Sequence, residues 1–473
     1  MKVASRNFAE TAASALEDAQ LQKALGVIQD GFVAKRAEAR AALPEFDALK
    51  AEGKAIKEHA LAHLDHYLER FEAEVSASGG QVHWARDGAE AGAIVARIAK
   101  EAGARRIIKG KSMVTEEAHL NQSLAAAGLE AVETDLGDYI MQLRDEPPSH
   151  LIMPALHLVR GEIAETFREH HAEFAPDRPL ADRQALIKEA RKVLRQRFLS
   201  ADLGITGANF LVAETGTVVL VTNEGNGDLT TILPKTHIVV TGIEKVVPTL
   251  EDATTLIRLL ARSATGQEIS AYTSFFTGPK RANEPDGPEA FHVVLLDNGR
   301  SDLVASEFHE MMRCIRCGAC LNHCPVYAAV GGHAYGSVYS GPMGAVLTPG
   351  FAGIDQARPL PEASTACGRC AEVCPVGIPI PDLMRHWRRR AFDDGLGPWP
   401  IRFGLKAWAA MSRRPWLYRM GTALAARLPR LLSKGDWITR LPGPFGGWTA
   451  HRDMAAPAGR TFQAQWRVRE GRR

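Results

Sequence analysis

The sequence of residues 314–325 is Cys314-Ile-Arg-Cys317-Gly-Ala-Cys320-Leu-Asn-His-Cys324-Pro325. A second tract reads Cys367-Gly-Arg-Cys370-Ala-Glu-Val-Cys374-Pro375, and together the two tracts contain all seven cysteines of the 473-residue chain. The first tract has the C-x2-C-x2-C-x3-C-P spacing of bacterial two-cluster ferredoxins, in which the fourth cysteine binds the other cluster. The pattern therefore predicts two iron–sulfur clusters, each of the [4Fe–4S] type.

The interlocked pattern assigns each cysteine to one of the two clusters. The first cluster is expected to bind Cys314, Cys317, Cys320 and Cys374, and the second Cys324, Cys367 and Cys370. A complete second motif would have a cysteine at position 364, where this chain has Ser364. The second cluster therefore has three thiolates, either as [4Fe–4S] with serine, water or a partner's group at one iron, or as [3Fe–4S]. An open iron would bind a small ligand or would simply make the cluster labile, and both readings stay open.

Zinc and disulfides are the competing uses of these cysteines. Zinc favours four ligands from separated C-x2-C pairs, and the four closely spaced cysteines of the first tract would crowd a single tetrahedral site. An odd number of cysteines confined to two tracts does not indicate a disulfide framework. Iron–sulfur clusters are the favoured interpretation.

Composition indicates a globular chain, since 45% of the residues are hydrophobic and 24% are charged. The amino-terminal residues show no secretory signal, and no apolar run is long enough to span a membrane. Free thiols also suit a reducing compartment. The sequence therefore predicts a cytoplasmic protein.

The carboxyl-terminal part has a different composition. From Arg385 to Arg473 there are 19 lysines and arginines against 5 aspartates and glutamates, and seven of the eight tryptophans follow position 386. Such a segment would dock on an anionic membrane surface, at the inner face of the membrane, or on an acidic protein, or would be a solvated basic surface. Nucleic acid is not expected as a partner, because no nucleic-acid-binding motif accompanies the charge.

Periodicity predicts an α/β domain between helical flanks. Residues 8–75 indicate two or three helices. Strands are predicted at 81–85, 105–109, 129–134, 150–154, 236–242 and 292–296, and helices at 89–102, 115–127 and 182–199. The β-branched stretch 208–222 also indicates extended structure, and residues 301–313 a helix. Strands that alternate with helices at this spacing predict a largely parallel sheet.

Two stretches of the α/β region are candidate sites. Glycine turns around residues 206–228 would bring Glu214, Glu224 and Asp228 to a shared cleft, where a carboxylate acts as general acid, base or nucleophile. The alternative is a pair of hairpin turns with solvated acids. The stretch 109–112, Lys-Gly-Lys-Ser, precedes a predicted helix, so it binds an anion or only caps that helix.

Four motifs, together with the cysteine tracts and the basic tail, carry a family resemblance. The motifs lie at residues 111–117 (Lys-Ser-Met-Val-Thr-Glu-Glu), 133–138 (Glu-Thr-Asp-Leu-Gly-Asp), 148–157 and 207–226. In these motifs and their order, nearly the whole chain resembles the lactate utilization protein B family of LUD-domain iron–sulfur proteins. The family pattern likewise lacks a cysteine at the position of Ser364.

The resemblance implies four regions. They are an N-terminal helical region (1–75), an α/β LUD domain of the NagB/RpiA/CoA-transferase-like class (76–300), an α-helical two-cluster ferredoxin-like module (301–390) and a basic, Trp-rich, helical C-terminal region (391–473). Its implied role is to transfer electrons in the oxidation of L-lactate to pyruvate, together with a cysteine-rich subunit and a second LUD protein, rather than to act as a stand-alone enzyme.

Two alternatives stay open. In one, the LUD domain is itself catalytic on a hydroxy acid or CoA-type ligand, through Glu214 or Glu224. In the other, the chain is an assembly subunit that docks through its tail. No G-x-G-x-x-G fingerprint of a nicotinamide or flavin site follows a predicted strand.

Overall fold

The computed structural model describes residues 3–450 and 452–471, and the chain divides into two compact units after Asp393. The strands of the first unit are β1 (Gln81–Ala85), β2 (Arg106–Lys109), β3 (Glu130–Glu133), β4 (Leu203–Thr206), β5 (Phe210–Val212), β6 (Thr217–Thr222), β7 (Thr236–Gly242), β8 (Val246–Val247), β9 (Tyr272–Phe276) and β10 (Ala290–Leu296). Six of them form a parallel sheet in the order β1-β10-β7-β4-β2-β3. The predicted parallel α/β sheet is confirmed.

The central strands of this sheet are buried on both faces. Every residue of β4 and β7 is buried, which is typical of parallel strands covered by helices on both sides. Gly204 in β4 shows how closely these helices pack, since a Cβ there would lie 1.9 Å from the carbonyl oxygen of Thr230. Helix α12 (Asn226–Ile232), which contains Thr230, can therefore lie directly on the strand.

The stretch 208–222 contributes to a second, four-stranded sheet in the order β8-β5-β6-β9. Strand β6 is antiparallel to β5 and β9, whereas β5 and β8 are parallel. The turn between β5 and β6 contains Gly216 at φ +65°, and a Cβ there would lie 2.6 Å from the backbone nitrogen of Val75. The predicted extended structure is confirmed, with glycine required at the turn.

The N-terminal region contains five α-helices, so the prediction of two or three was wrong. They are α1 (Phe8–Glu17), α2 (Ala19–Ile28), α3 (Ala34–Ala41), α4 (Phe46–Ala62) and α5 (Leu64–Ala77), with a π-helical turn at Gln29–Val33. Asp18 is extended, and its Oδ1 accepts the backbone N–H groups of Gln20 and Leu21, so it ends one helix and caps the next. His63 leaves the helical region at φ −128° and separates α4 from α5.

The helices around the sheet follow the predicted order. They are α6 (Gly88–Glu101), α7 (Met113–Glu117), α8 (Leu120–Ala126), α9 (Leu136–Arg144), α10 (Arg160–His170), α11 (Arg183–Leu199), α12 (Asn226–Ile232), α13 (Leu250–Ala264) and α14 (Arg300–Val304). The helices predicted at 89–102 and 182–199 are confirmed. The single helix predicted at 115–127 is two helices, because His119 adopts a left-handed conformation at φ +53° between them.

The strand predicted at residues 150–154 is absent, and the segment forms a turn. The Nδ1 atom of His150 accepts the backbone N–H groups of Ile152 and Met153, both at 3.1 Å. Ser149 closes the turn, because its N–H donates to the carbonyl oxygen of Pro154 at 2.9 Å. A side chain that satisfies the local backbone competes with sheet pairing, which explains why the apolar run did not form a strand.

Residues 301–393, which we call the cysteine segment, contain short helices. They are α15 (Ala319–Asn322), α16 (Pro325–Val330), α17 (Gly341–Ala352), α18 (Ile354–Ala357), α19 (Pro359–Glu362), α20 (Arg369–Glu372) and α21 (Ile380–Asp393). The single helix predicted at 301–313 is interrupted: α14 ends at Val304, and a 3-10 helix forms at His309–Arg313. The last helix packs on the first part of the segment through Trp387, which stacks on Phe308 at 3.8 Å between ring centroids.

The turn around Ser149 and His150 holds the cysteine segment against the sheet. The hydroxyl of Tyr327 donates to the carbonyl oxygen of Ser149 at 2.8 Å, and His150 Nε2 lies 3.0 Å from Asn322 Oδ1. A Cβ at Gly332 would lie 1.7 Å from that same Ser149 oxygen. This glycine of the long connection between the two cysteine tracts therefore packs against the protein's own backbone.

A buried network of charges also joins the cysteine segment to the sheet. We call it the Arg300 network, and its members are Glu117, Glu244, Arg300, Arg316 and Tyr339. The guanidinium of Arg300 donates to both carboxylate oxygens of Glu117 at 2.8 Å and to Glu244 Oε2 at 2.7 Å. Tyr339 donates to Glu117 Oε2 at 2.5 Å, and Arg316 Nη2 lies 3.3 Å from Glu244 Oε1. Burial opposes ionisation of Glu244, but the two arginines lower its pKa to about 2.

The second unit contains helices α22 (Trp399–Ser412), α23 (Pro415–Arg427) and α24 (Phe462–Glu470), with the two-stranded antiparallel pair β11 (Trp437–Ile438) and β12 (Met454–Ala455). Several of its large apolar side chains are more than half exposed, among them Trp399, Phe403, Trp408, Trp416 and Phe445. Among the described residues, no helix is both long and apolar enough to cross a membrane.

We expect the Arg300 network to dominate the stability of the first unit. Replacing Arg300 with glutamine leaves the buried carboxylate of Glu117 without its counter-charge and Glu244 with only part of it, so the free energy of unfolding should fall by about 3–5 kcal/mol. The matched control is Arg97→Gln, which removes an exposed pair with Glu101 and should cost less than about 1 kcal/mol. Urea denaturation of the anaerobically purified full chain measures both, and equal losses would contradict the expectation.

Candidate metal centre and adjoining pocket

The two cysteine tracts share one backbone pattern. In the first tract Arg316 and Gly318 flank Cys317 with left-handed φ values of +59° and +73°, and helix α15 follows. In the second, Ala366 and Gly368 flank Cys367 at +56° and +81°, and helix α20 follows. Such alternating conformations turn successive backbone N–H groups inward and form the concavities that many iron–sulfur sites use.

The repeat aligns Ser364 with Cys314, because each lies three residues before the cysteine between the left-handed residues. The Ser364 hydroxyl accepts the backbone N–H of Ala366 at 3.1 Å. The second tract thus keeps the backbone of the first but has a hydroxyl where the first has a thiol.

The thiols form two electrostatic neighbourhoods. Burial and then the neighbouring Cys374 and Cys314 raise the pKa of Cys317 to about 12, and burial followed by Cys314, Cys317, Cys374 and Cys370 raises that of Cys320. Elsewhere, burial and Cys324, then Cys367, raise the pKa of Cys370 to about 12. Apart from the influence of Cys370 on Cys320, where the two groups meet, the first neighbourhood contains Cys314, Cys317, Cys320 and Cys374, and the second Cys324, Cys367 and Cys370.

The donor set suits a cluster better than a single ion. Among the described residues, no three cysteine, histidine, aspartate or glutamate side chains form a group that could hold one metal ion. A tetrahedral zinc site needs such convergence on one atom, whereas the thiolates of an iron–sulfur cluster bind different irons. A metal cluster would also stabilise the thiolate forms that burial alone disfavours.

The two neighbourhoods differ in exposure. Cys317, Cys320 and Cys374 are each less than one-tenth exposed, whereas Cys367 is exposed. Cys314, Cys324 and Cys370 are half-buried. The first neighbourhood is therefore the more enclosed of the two, and the second includes an exposed cysteine.

Cations from the N-terminal helices hold the end of the second tract. Arg36 in α3 donates to the carbonyl oxygen of Val373, and Lys50 in α4 to that of Glu372, each at 2.9 Å. Arg313, just before the first tract, donates to the carbonyl oxygen of Gly377 at 3.1 Å. These contacts bring Cys374 to the first tract, and the cysteine spacing did not reveal them.

A pocket of about 390 Å³ opens where strands β2, β3 and β4 end. The segments that follow these strands line it, together with Glu224, Lys245 and Arg316. In parallel sheets, ligands bind beyond the carboxyl ends of the strands. Arg316 lies between Cys314 and Cys317, so the pocket wall includes part of the first cysteine tract.

Of the three predicted carboxylates, only Glu224 lines this pocket, so the shared cleft expected for Glu214, Glu224 and Asp228 was wrong. Glu214 Oε1 accepts the backbone N–H of Leu250 at 2.8 Å, which caps helix α13. Asp228 is hydrogen-bonded to Ser274 through its Oδ1 atom. Partial loss of solvation, and then the charge of Asp135, raise the pKa of Glu224.

In the Lys-Gly-Lys-Ser stretch, Lys109 and Ser112 have structural roles, whereas Lys111 lines the pocket. Lys109 is buried and ion-paired with Glu133 at 2.7 Å and Glu116 at 3.0 Å, so it is not free to bind an anion. Ser112 caps helix α7, as the alternative reading had it. Lys111 lines the pocket, and its Nζ donates to the carbonyl oxygen of Ile152 at 2.5 Å.

The sequence analysis missed Lys245 and Arg316 as site residues. Lys245 ends a buried 3-10 turn after β7, and its neighbours give no motif. Arg316 occupies one of the two positions between Cys314 and Cys317, which the cysteine spacing leaves undefined. Its left-handed backbone and buried side chain are visible only in the fold.

Three family models match the chain. They are the LUD domain at residues 68–296, the 4Fe-4S dicluster domain at residues 310–378 and the lactate utilisation protein B C-terminal model at residues 396–471. The middle match supports iron–sulfur clusters as the metal groups of this chain. A helical C-terminal region thus follows a LUD domain and a dicluster domain.

The chain is also similar to curated proteins over nearly its full length. It is 42% identical to lactate utilization protein B of Bacillus licheniformis, over 97% of this chain and 95% of that protein. It is 41% identical to that of Anoxybacillus flavithermus, over 100% and 99%, and 40% identical to that of Bacillus subtilis, over 99% and 98%.

A solved structure of a DUF162 family protein from Deinococcus radiodurans gives a TM-score of 0.27 at 15% identity, over 49% of this chain and 98% of that one. Such a likeness is too low to support any argument. The full-length relatives and the three family models are consistent with one another, and the chain belongs to the lactate utilization protein B family.

Proposed function

We propose that this chain is an iron–sulfur electron-transfer subunit of a system that oxidises L-lactate to pyruvate. The observation that carries the proposal is the pair of thiol neighbourhoods, built on repeated backbone loops within the same unit as the LUD domain. The relatives' name connects the family with lactate, and the dicluster match connects it with iron–sulfur chemistry.

The proposed ligands follow the two neighbourhoods. Cys314, Cys317, Cys320 and Cys374 hold one [4Fe–4S] cluster, and Cys324, Cys367 and Cys370 hold a second, with Ser364 next to its fourth coordination position. When bound, such clusters accept and release single electrons, and two of them match the two electrons that oxidation of a hydroxy acid releases.

The protein around these cysteines places positive charge near the proposed first cluster and leaves the second near the surface. Arg36 and Lys50 place positive charge near Cys374, which offsets the negative charge that reduction adds. The backbone N–H of Ile378 points to Cys374 Sγ at 3.4 Å, a contact that stabilises a thiolate. The exposed Cys367 marks the side from which a partner protein would exchange electrons with the second cluster.

The partners in this proposal are a cysteine-rich subunit and a second LUD-domain protein, in the cytoplasm. The basic second unit, with exposed side chains such as Trp399 and Trp416, would dock the chain on an acidic partner or on the inner membrane surface. We also propose that the LUD sheet is of the NagB/RpiA/CoA-transferase-like class, and that the regions are 1–75, 76–300, 301–390 and 391–473.

A second candidate function is catalysis by the LUD domain on a hydroxy acid or CoA-type ligand. The observation that favours it is Glu224, which lines the pocket at the strand ends and has a raised pKa. A carboxyl group with a raised pKa keeps its proton to a higher pH than a free glutamate and is better suited to act as a general acid.

The principal proposal is tested by anaerobic purification of the full chain, with iron, sulfide and zinc assayed together. Titration with dithionite should produce the EPR signal of reduced iron–sulfur clusters, because the seven thiols would bind iron. Zinc in place of iron, with no EPR signal after reduction, would overturn it.

The backbone repeat predicts that Ser364→Cys completes the second site. The new thiol would occupy the position equivalent to Cys314, so the variant should retain more iron per chain and lose it severalfold more slowly in air. The matched control is Thr365→Cys, which adds a thiol one residue away from that position. If both variants lose iron at the wild-type rate, Ser364 is not at the open coordination position.

The two candidate functions are separated by Glu224→Gln. If the LUD domain transfers a proton through this carboxyl, the variant should lower the lactate-oxidising activity of the reconstituted system by about 100-fold or more and leave the cluster EPR signals unchanged. Glu214→Gln is the control, since Glu214 caps a helix outside the pocket. Unchanged activity of Glu224→Gln would leave electron transfer as the function of this chain.

A further inference from the structure

We infer that the pocket at the strand ends is a binding site for a small hydroxycarboxylate anion. Arg316 and Lys245 would bind its carboxylate, and Asn226 and Thr222 its hydroxyl group. The inference names the class of ligand that the LUD pocket binds and the residues that select it. It rests on the proposed function for the role of the bound anion.

Arg316 supplies the first argument, because its side chain is only 8% exposed and incompletely hydrogen-bonded. Its Nη2 pairs with Glu244, but its Nε and Nη1 atoms are buried and have no partner among the described residues. Unpaired buried donors are costly, and a guanidinium is suited to bind a carboxylate through two N–H groups. A carboxylate in this pocket would satisfy the donors that the protein leaves free.

Lys245 supplies a second cation on the same wall. It is 5% exposed and lines the pocket, and its ammonium is attracted by the charges of Glu244 and Cys314. Lys57, another buried lysine beside Glu244, shows the contrast. Its ammonium donates to the carbonyl oxygens of Glu244 at 2.6 Å and Val246 at 3.4 Å. Lys57 is therefore hydrogen-bonded by the fold, whereas among the described residues Lys245 has no such bond and can pair with an anion in the pocket.

Two unpaired oxygens in the same pocket indicate the rest of the ligand. Asn226 Oδ1 and Thr222 Oγ1 are buried without a partner among the described residues, and both residues line the pocket. An amide oxygen accepts a hydrogen bond from a hydroxyl group. Apolar side chains of Met113, Leu220 and Leu260 also line the cavity and would contact a short carbon skeleton.

The charge and size of the pocket favour a monoanion. Three cations line it, Lys111, Lys245 and Arg316, against two carboxylates, Asp135 and Glu224. The carboxylates disfavour a phosphate dianion, while the remaining positive charge suits one carboxylate. A volume of about 390 Å³ lies toward the small end of ligand pockets.

The test is isothermal titration calorimetry of the anaerobically purified full chain, with its iron content measured. The probes are L-lactate, propionate, which lacks the hydroxyl, and inorganic phosphate. We expect L-lactate to bind at least about tenfold more tightly than propionate or phosphate, because the site hydrogen-bonds a hydroxyl and holds one negative charge.

Two variants test the residues. Lys245→Met and Arg316→Gln should each weaken L-lactate binding by about tenfold or more, and Lys57→Met should leave it within about twofold. If Arg316→Gln loses iron, Lys245→Met carries the test alone, and circular dichroism confirms that each variant is folded. Binding that is unchanged in Lys245→Met, or equal for L-lactate and propionate, overturns the inference.

The inference and the proposed function fail separately. A chain with full iron content that binds none of the probes overturns the inference and leaves electron transfer standing. A chain without iron whose L-lactate binding depends on Lys245 supports the inference and overturns the electron-transfer proposal.

Discussion

The first unit depends on the pairing of the buried charges around Arg300. Glu117 follows strand β2, Glu244 follows β7 and Arg300 follows β10, while Arg316 and Tyr339 come from the cysteine segment. Removing one partner of a buried ion pair leaves an uncompensated charge and is strongly destabilising. The partners come from the sheet region and from the cysteine segment, so these two regions bury the network between them. The cysteine tract is therefore held in a fixed position against the strand ends, where the pocket lies.

The strands of the parallel sheet were the part of the structure that the sequence predicted well. Short β-branched runs such as residues 236–242 are typical of strands that are buried on both faces of a parallel sheet. The errors occurred where one side chain changed the backbone locally. His150 closes a turn through its imidazole, Asp18 caps a new helix, and His119 adopts a left-handed conformation that separates two helices. Such effects depend on single contacts and leave no periodic signal.

The candidate site was harder to predict, because the role of its residues depends on which contacts the fold gives them. Glu214 stood in a conspicuous glycine-rich stretch, yet the fold uses it to cap a helix. Lys245 and Arg316 belong to no motif outside the cysteine spacing, and only the burial of their side chains in the pocket wall distinguishes them. Lys57 and Lys245 are both buried lysines beside Glu244, and the sequence gives no means of telling the satisfied one from the unsatisfied one.

The close approach of Gly332 to the carbonyl oxygen of Ser149 limits which cysteine-containing segments can pack against this α/β sheet. A compact bacterial ferredoxin could supply equivalent cysteines, but its shorter connection would have no counterpart of this glycine or of Tyr327, which binds the same oxygen. The cysteine segment is thus not an independent module that could be joined to any other domain. It is shaped to one particular α/β neighbour, so we expect the two to be inherited together and exchanged between proteins only as a single piece.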